Sequence, residues 1–219
     1  MIFQDSLLYV YEFSIFGSAA IATYHIKWLM NQKLALFVPY LWMVFLQEFL
    51  MIHFYEFLLG KSPNIFIYNI YRLITVLFFS YLFLRLPMMA PVRKYIAGLA
   101  LLFVIAFGIN FTLNQTIFEN NGYFGLARGF VVTCIGLLFL FCYFQLDNRK
   151  DEKNWSPWVW IASGMIIFYP VTSISQLFSI SLQSSYIFGL KLYNLIAQVM
   201  SIFMYSSFSF AFYLCRKRI

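Results

Sequence analysis

The sequence predicts an all-α integral membrane protein, a bundle of seven transmembrane helices with its N-terminus outside and its C-terminus in the cytoplasm. Of the 219 residues, 63% are hydrophobic and only 11% are charged, whereas about 25% of the residues of a soluble domain are charged. The mean hydropathy is +0.78 over the whole chain, which indicates a largely lipid-facing surface. Residues 1–219 therefore form one transmembrane domain, and no soluble domain is expected among them.

Seven segments reach the roughly 20 apolar residues that a helix needs to cross the hydrocarbon core. The first lacks the basic patch and small-residue cleavage site of a signal peptide, so it is expected to stay. Turn-forming residues and charges separate the others, notably at 60–64, 87–91, 120–122 and 147–157. The predicted helices are Ser6–Tyr24, Leu34–Leu59, Ile65–Leu86, Tyr95–Leu113, Tyr123–Leu146, Trp158–Leu182 and Leu190–Cys215.

The distribution of basic residues predicts the orientation. Lysines and arginines are enriched in the cytoplasmic connections of membrane proteins. Of the fifteen in this chain, only Lys61, Arg128 and Lys191 fall on the side that holds the N-terminus, and Arg72 lies within the third helix. The remaining eleven lie on the cytoplasmic side: Lys27, Lys33, Arg85, Arg93, Lys94, Arg149, Lys150, Lys153, Arg216, Lys217 and Arg218.

Two short pairs of motifs favour an internal repeat. Pro39-Tyr40-Leu41-Trp42 opens the second helix and Pro157-Trp158-Val159-Trp160 opens the sixth. Tyr68-Asn69-Ile70 lies in the third helix and Tyr193-Asn194-Leu195 in the seventh. Helices one to three and five to seven would then be parallel repeats joined by the fourth, as in small sugar transporters. Aromatic matches of this length also arise easily in so biased a sequence, so the 3+1+3 repeat stays one interpretation.

Polar residues inside the predicted helices indicate a functional pocket, because ionisable groups in a membrane are costly. The second helix carries Gln47, Glu48, His53 and Glu56, of which Glu48 and Glu56 share one stripe. Most of these groups, and Arg128 of the fifth helix, lie in the outer half, which predicts an outward-facing polar cavity above a drier inner half. Five other helices supply the remaining pocket candidates: Glu12, Asn69, Arg72, Asn110, Gln176, Asn194 and Gln198.

Three interpretations of these polar groups stay open. Glu48 or Glu56 could form a structural ion pair with Arg72, the groups could line a ligand or ion pocket, or they could be catalytic. No catalytic arrangement is recognisable, so the protein is not predicted to be an enzyme. His53 and Glu56 could give two metal ligands, but His25 lies on the cytoplasmic side, so neither a metal nor another cofactor is predicted.

Two backbone features bear on helix packing. Pro170 lies within the sixth helix, where it removes a backbone donor and is a candidate hinge, with Thr172 or Ser173 satisfying the freed carbonyl. Small residues in the first and fourth helices, including Gly17, Gly98 and Gly108, are expected to permit close helix contact.

The seven-helix topology resembles the stand-alone transmembrane regions that precede bacterial sensor kinases. This resemblance implies a receptor- or sensor-like membrane subunit that binds a small ligand and signals to a separate protein at the cytoplasmic face. A small-solute transporter or channel, and an accessory subunit of a larger membrane assembly, are the alternatives. The richness in Phe, Ile, Tyr and Asn indicates a bacterial cytoplasmic membrane. The net charge of +7 flanks apolar blocks, so the bilayer and not a nucleic acid is the expected partner.

Overall fold

The computed structural model describes residues 2–54, 65–114, 116–118, 122–145, 149–178, 185–187 and 190–216. A 3₁₀ helix, Pro87–Val92, precedes the fifth α-helix, and a π-helical turn, Asn110–Asn114, follows it. Two-residue strands β1 (Tyr186–Ile187) and β2 (Leu190–Lys191) pair antiparallel. The α-helices are α1 (Ile2–Tyr24), α2 (Ile26–Asn31), α3 (Phe37–His53), α4 (Ile65–Leu84), α5 (Arg93–Ile109), α6 (Gly122–Phe144), α7 (Arg149–Leu177) and α8 (Leu192–Arg216).

The chain is a helical bundle with several membrane-spanning segments. Within the described residues, six helical segments are long and apolar enough to cross a bilayer: Ser6–Tyr24, Ile65–Leu84, Pro87–Leu113, Gly122–Phe144, Trp155–Leu177 and Leu192–Arg216. The apolar helix α3 has only 17 residues, fewer than the roughly 20 that the hydrocarbon core requires. The predicted helical membrane protein is confirmed at this level.

Two predicted boundaries need correction. Helix α3 begins at Phe37 instead of Leu34 and ends at His53, and the predicted end at Leu59 lies outside the described residues. Helix α7 begins at Arg149, so the polar stretch assigned to a connection is helical, and Pro157 lies inside the helix. The two strands form a small β-hairpin beside the helical bundle, and at two residues each they are too short for any alternating pattern to reveal them.

Six helices form a ring, in the order α1, α3, α4, α6, α7 and α8. Successive members other than α3 and α4 pack closely on each other, and α8 closes the ring on α1. Between α3 and α4 the link is aromatic: Tyr40 stacks on Phe78 with ring centroids 3.8 Å apart. Helix α5 stays outside the ring, where it packs on α4 and α6. The ring therefore encloses a central space that six helices border and α5 does not.

One end of the ring is filled by aromatic side chains, which we call the aromatic plug. Phe37 lies at its centre, 5.3 Å from Phe208 and 5.4 Å from Phe212 between ring centroids. The Trp158 indole also donates a hydrogen bond to the Gln32 carbonyl at 3.2 Å. The plug comprises Phe37, Phe79, Phe83, Phe139, Trp158, Phe208 and Phe212, all fully or almost fully buried. This end of the bundle is consequently dry and tightly packed.

Glycines bring α6 and α7 into close contact. A Cβ built on Gly129 would lie 1.9 Å from Ser173 Oγ, and one on Gly136 would lie 2.9 Å from Ile166 Cγ1. The Ser173 hydroxyl donates to the Gly125 carbonyl at 3.1 Å across the interface. Such contacts are typical of small residues between membrane helices. We call Gly125, Gly129 and Gly136 the glycine seam.

The glycine seam does not include the glycines for which the sequence predicted close helix contact. A Cβ on Gly17, Gly98 or Gly108 would meet no neighbouring helix within 4 Å, so the expectation of close helix contact at these positions is wrong. Helix α7 also passes through Pro170 without interruption. Pro170 frees the backbone carbonyl of the residue four positions before it, but neither nearby hydroxyl donates a hydrogen bond to that carbonyl. Thr172 donates to the Phe168 carbonyl, and Ser173 donates to the Gly125 carbonyl of α6.

Gly129→Ala is expected to destabilise the bundle by about 1–3 kcal/mol, because the added methyl group overlaps Ser173 and forces α6 and α7 apart. Thermal unfolding in detergent measures the effect. Gly98→Ala is the matched control, because its methyl group enters open space and Ala favours helix. Equal unfolding temperatures for the two variants would show that the glycine seam is not a tight contact.

The burial of His25 is expected to make the folded protein less stable at acidic pH. It is buried between α1 and α2 and contacts Trp28. Burial and, to a lesser degree, the positive charge of Arg216 lower the pKa of His25 from 6.5. The unfolded chain therefore binds this proton more readily, and stability falls as the pH drops below about 6.5. Between about pH 8 and pH 5, the wild-type protein should lose more thermal stability than His25→Phe. Parallel curves for the two proteins would contradict this.

Candidate functional site

A cavity of about 650 Å³ lies in the centre of the ring. It occupies the end of the bundle where α4, α6 and α8 begin, which is opposite the aromatic plug. All six ring helices contribute to its walls, and Asn194 is exposed near its mouth. Its lining is Tyr11, Glu48, Ile65, Tyr68, Tyr71, Arg72, Gly122, Arg128, Phe168, Thr172, Gln176, Tyr193, Asn194, Ala197, Ser201 and Tyr205.

Helical spacing explains why these side chains share one space. Residues three or four apart lie on the same face of a helix. Helix α8 presents Tyr193, Ala197, Ser201 and Tyr205 at steps of four, and α7 presents Phe168, Thr172 and Gln176 in the same way. Helix α4 contributes Tyr68, Tyr71 and Arg72. Each helix therefore offers one stripe to the cavity.

Two buried arginines dominate the charge of the cavity. Arg72 is 8% exposed and Arg128 is 6% exposed, and their positive charges act on each other. The Arg128 guanidinium carbon lies 5.5 Å from the centre of the Tyr169 ring, within cation–π distance. Its Nε has no hydrogen-bond partner among the described residues. Such a donor, buried and unsatisfied, is costly unless something else occupies the site.

Arg72 is held in place through its own helix. Its Nη1 donates to Asn69 Oδ1 at 2.8 Å. Asn69 Nδ2 in turn donates to the Ile117 carbonyl at 2.7 Å, so the segment after α5 orients the guanidinium indirectly. Fully buried Asn69 is thus a supporting residue behind the cavity wall.

Glu48 supplies the negative charge of the lining. Its carboxylate interacts with the Tyr11 hydroxyl of α1 and electrostatically with Arg128. Within the described part of the chain, no ion pair joins Glu48 to either cavity arginine. The structural pair of Glu48 with Arg72, one of the three open interpretations, is therefore not seen there, and the alternative pairing through Glu56 lies outside the described residues.

Gly125 of the glycine seam makes room for two cavity side chains. A Cβ at this position would lie 2.6 Å from Gln176 Oε1 and 3.6 Å from Arg72 Nη2. Gln176 Oε1 is buried and has no hydrogen-bond partner among the residues that the structure describes. The close helix packing at the seam and the polar wall of the cavity are thus parts of one arrangement.

Tyrosines form the floor of the cavity. The hydroxyl groups of Tyr40 and Tyr71 lie 3.4 Å apart, and Tyr40 also interacts with Thr75 and Tyr169. Tyr205 borders the cavity from α8 and is buried. Because Tyr40 packs on Phe37 and Phe79, this floor connects the polar cavity directly to the aromatic plug.

The structure brings only some of the predicted pocket residues together. Glu48, Arg72, Gln176 and Asn194 line the cavity, and Pro170 lies between the lining residues Phe168 and Thr172. Glu12 instead contacts His53: its Oε1 lies 2.8 Å from His53 Nε2, and this contact joins α1 to α3 outside the cavity. Glu56 lies outside the described residues. The pocket candidates that do not line the cavity are Glu12, Gln47, His53, Asn69, Asn110 and Gln198.

Several cavity residues were not among the predicted pocket residues. Arg128 is among the predicted polar groups of the outer half but not among the pocket candidates, and Ser201 is not among them either. The lining tyrosines have a usable signal in their spacing, since Tyr68 lies three residues before Tyr71 and four before Arg72 and so shares a face with each. Tyrosine is common at membrane interfaces, and that alternative hides such a stripe in the sequence. The lining residues that were not predicted are Tyr11, Ile65, Tyr68, Tyr71, Gly122, Arg128, Phe168, Thr172, Tyr193, Ala197, Ser201 and Tyr205.

Within the described residues, no group of three or more His, Cys, Asp or Glu side chains is placed to hold a metal ion. The polar groups of the cavity are instead guanidinium, carboxylate, amide and phenol groups, which suit an organic or inorganic ligand with hydrogen-bonding oxygens. No protein family, curated protein or solved structure matches this chain.

Proposed function

We propose that this protein is a receptor- or sensor-like membrane subunit that binds a small ligand in the central cavity. The observation that supports this most directly is the asymmetry of the bundle. A polar cavity of about 650 Å³ occupies one end, and the aromatic plug fills the other. Pockets of roughly 300–1,000 Å³ with a few convergent polar groups are typical of small-molecule sites.

The proposed topology has seven spans, with α3 as the second. A 17-residue helix rises about 25 Å, a few ångströms less than the roughly 30 Å core, and local thinning of the bilayer accommodates such a difference. The excess of basic residues on one side puts the plug end in the cytoplasm. The cavity then opens outward, in the bacterial cytoplasmic membrane that the composition favours.

Ligand binding would be sensed through the ring helices, because all six contact the cavity. A ligand changes an equilibrium only through different contacts in two states. Helices α7 and α8 pack extensively on each other, and each carries both cavity and plug residues, such as Thr172 and Trp158 in α7. A shift of either helix would reach its cytoplasmic end, where a separate partner protein would receive the signal.

A small-solute transporter is the second candidate. Pro170 lies beside the cavity in α7, and a proline can mark a hinge in a membrane helix. The proposed 3+1+3 repeat adds support, since Tyr68 and Tyr193, one from each matching motif, both line the cavity. Transport would require the buried aromatic plug to open. Uptake of the bound molecule into proteoliposomes separates this activity from sensing.

Native mass spectrometry of protein extracted gently from its own membrane should find a bound small molecule of defined mass. Gly125→Ala should lose it, because the added methyl group displaces Gln176 and fills the space beside Arg72, whereas the control Gly98→Ala should retain it. A bound protein without any small molecule would favour the accessory-subunit alternative. Equal retention by both variants would argue against the cavity as the site.

Labelling with a membrane-impermeant maleimide tests the topology. In a variant with Cys134, Cys142 and Cys215 replaced by serine, a cysteine is introduced as Lys61→Cys or as Lys153→Cys. On intact spheroplasts the first should react, and the second should react only after permeabilisation, because Lys61 belongs to the outer side and Lys153 to the cytoplasmic side. The reverse pattern would invert the proposed orientation.

A further inference from the structure

We propose that the cavity ligand is a small amphipathic anion, whose carboxylate or phosphate group binds between Arg72 and Arg128 and whose apolar body lies against the tyrosines. This inference rests on the proposed function of the cavity as a ligand site. It adds the chemical class of the ligand and the two residues that recognise its charge.

The balance of charge in the cavity favours an anion. The lining carries two guanidinium groups and, among the described residues, one carboxylate, that of Glu48. Both arginines are more than nine-tenths buried, where like charges repel more strongly than in water. Glu48 lies in the field of Arg128, and the two guanidinium groups act on each other. A negatively charged ligand bound between them would reduce this repulsion.

Arg128 has donors available for such a ligand. A guanidinium group carries five N–H donors in a planar fork that fits carboxylate and phosphate oxygens. The Tyr169 ring supports the face of Arg128, while its buried Nε has no partner in the described part of the chain. Arg72, on the neighbouring helix α4, is oriented through Asn69 and Ile117. The two groups are therefore positioned in advance, which limits the entropy lost on binding.

Glu48 argues against a cationic ligand. Its carboxylate already interacts with the Tyr11 hydroxyl and lies in the field of Arg128, so it is occupied by groups of the protein. A cation would also have to approach two buried arginines. The role of Glu48 is then to moderate the positive charge of the empty cavity, and its removal should strengthen the binding of an anion.

The remaining walls define the body of the ligand. Tyr68, Tyr193 and Tyr205 with Phe168 supply aromatic surface from α4, α7 and α8. The volume of about 650 Å³ exceeds what an inorganic ion alone would fill. Tyrosine combines an apolar ring with a polar hydroxyl, so an aromatic or short aliphatic body with one or two hydrogen-bonding groups suits these walls.

The test compares three probes with the same body: 4-phenylbutyrate, the neutral 4-phenylbutanamide and the cationic 4-phenylbutylamine. The full chain is placed in phosphatidylcholine nanodiscs, and affinities are obtained from the thermal stabilisation that each probe produces. We expect 4-phenylbutyrate to bind about tenfold or more tightly than either analogue, because charge-assisted hydrogen bonds are lost in both. Equal affinities, or no stabilisation by 4-phenylbutyrate, would overturn the proposal.

Matched variants assign the effect to the two arginines. Arg72→Gln and Arg128→Gln should each weaken 4-phenylbutyrate binding by about tenfold or more. Glu48→Gln should strengthen it, whereas Arg85→Gln removes an exposed positive charge outside the cavity and should leave it unchanged. Equal weakening by Arg85→Gln would indicate a nonspecific charge effect and overturn the proposal.

Stability without ligand separates binding from a structural role. Arg128→Gln should unfold at the same temperature as the wild-type protein or higher, because it relieves repulsion with Arg72. A marked loss of stability would identify Arg128 as a structural partner of Glu48 and overturn the proposal. If that variant does not fold, Arg128→Lys preserves the charge but not the planar fork, and unchanged 4-phenylbutyrate affinity in it would also contradict bidentate recognition.

Two further arms identify the source of the anion. Nanodiscs containing phosphatidylglycerol should block 4-phenylbutyrate binding if a lipid headgroup is the natural ligand, and should not do so if it is a free solute. The native mass spectrum distinguishes the two levels of inference. A bound neutral or cationic molecule would leave the proposed function standing and overturn the anion assignment, whereas a bound protein and no small molecule would count against the proposed function itself.

Discussion

Hydrocarbon cannot solvate a charged side chain, and this constraint governs the placement of Arg72 and Arg128. Both lie within apolar helices of 20 residues or more, so each must face the inside of the bundle or leave the bilayer. The ring of six helices provides that interior. Once the arginines point inward, α4 and α6 are fixed in rotation, and the apolar faces left over turn toward lipid or toward α5.

Close packing of α6 and α7 makes the polar interior possible. The glycine seam brings the two helices close enough for Ser173 to reach the Gly125 carbonyl. The same absence of a side chain at Gly125 leaves space for Gln176 and Arg72. Van der Waals contact is the main force between helices in lipid, and here it also sets the shape of the cavity. The same seam therefore holds the two helices together and shapes the cavity.

The two ends of the ring meet the cost of burial in opposite ways. At the plug end, aromatic rings fill the space and few polar groups need partners; Thr133 and Ser207 donate to carbonyl groups of their own helices. At the cavity end, phenol, amide and guanidinium groups face an open volume. Tyr40 joins the two, with its hydroxyl near Tyr71 and its ring on Phe78. A ligand that moved Tyr71 would thus act directly on the packing below it.

The sequence by itself determined the solvent of this protein, the positions of most helices and the presence of costly polar groups. These follow from hydropathy and length, which local composition expresses directly: the start of α4 at Ile65 and the end of α1 at Tyr24 agree with the prediction. Glu48 in α3 and Arg72 in α4 could likewise be recognised in the sequence, as charged residues within apolar segments.

Only the tertiary structure decided which polar groups meet. Glu12 and His53 are 41 residues apart and pair with each other, whereas no ion pair between Glu48 and Arg72, one of the pairs considered, is found among the described residues. In a membrane helix both the lipid-facing and the buried faces are apolar, so the hydrophobic pattern does not reveal rotation about the helix axis. Rotation is set by packing against neighbouring helices, through contacts such as Gly129 with Ser173. For that reason the sequence identified candidate polar residues, and only the packing of the helices decided which of them line the cavity.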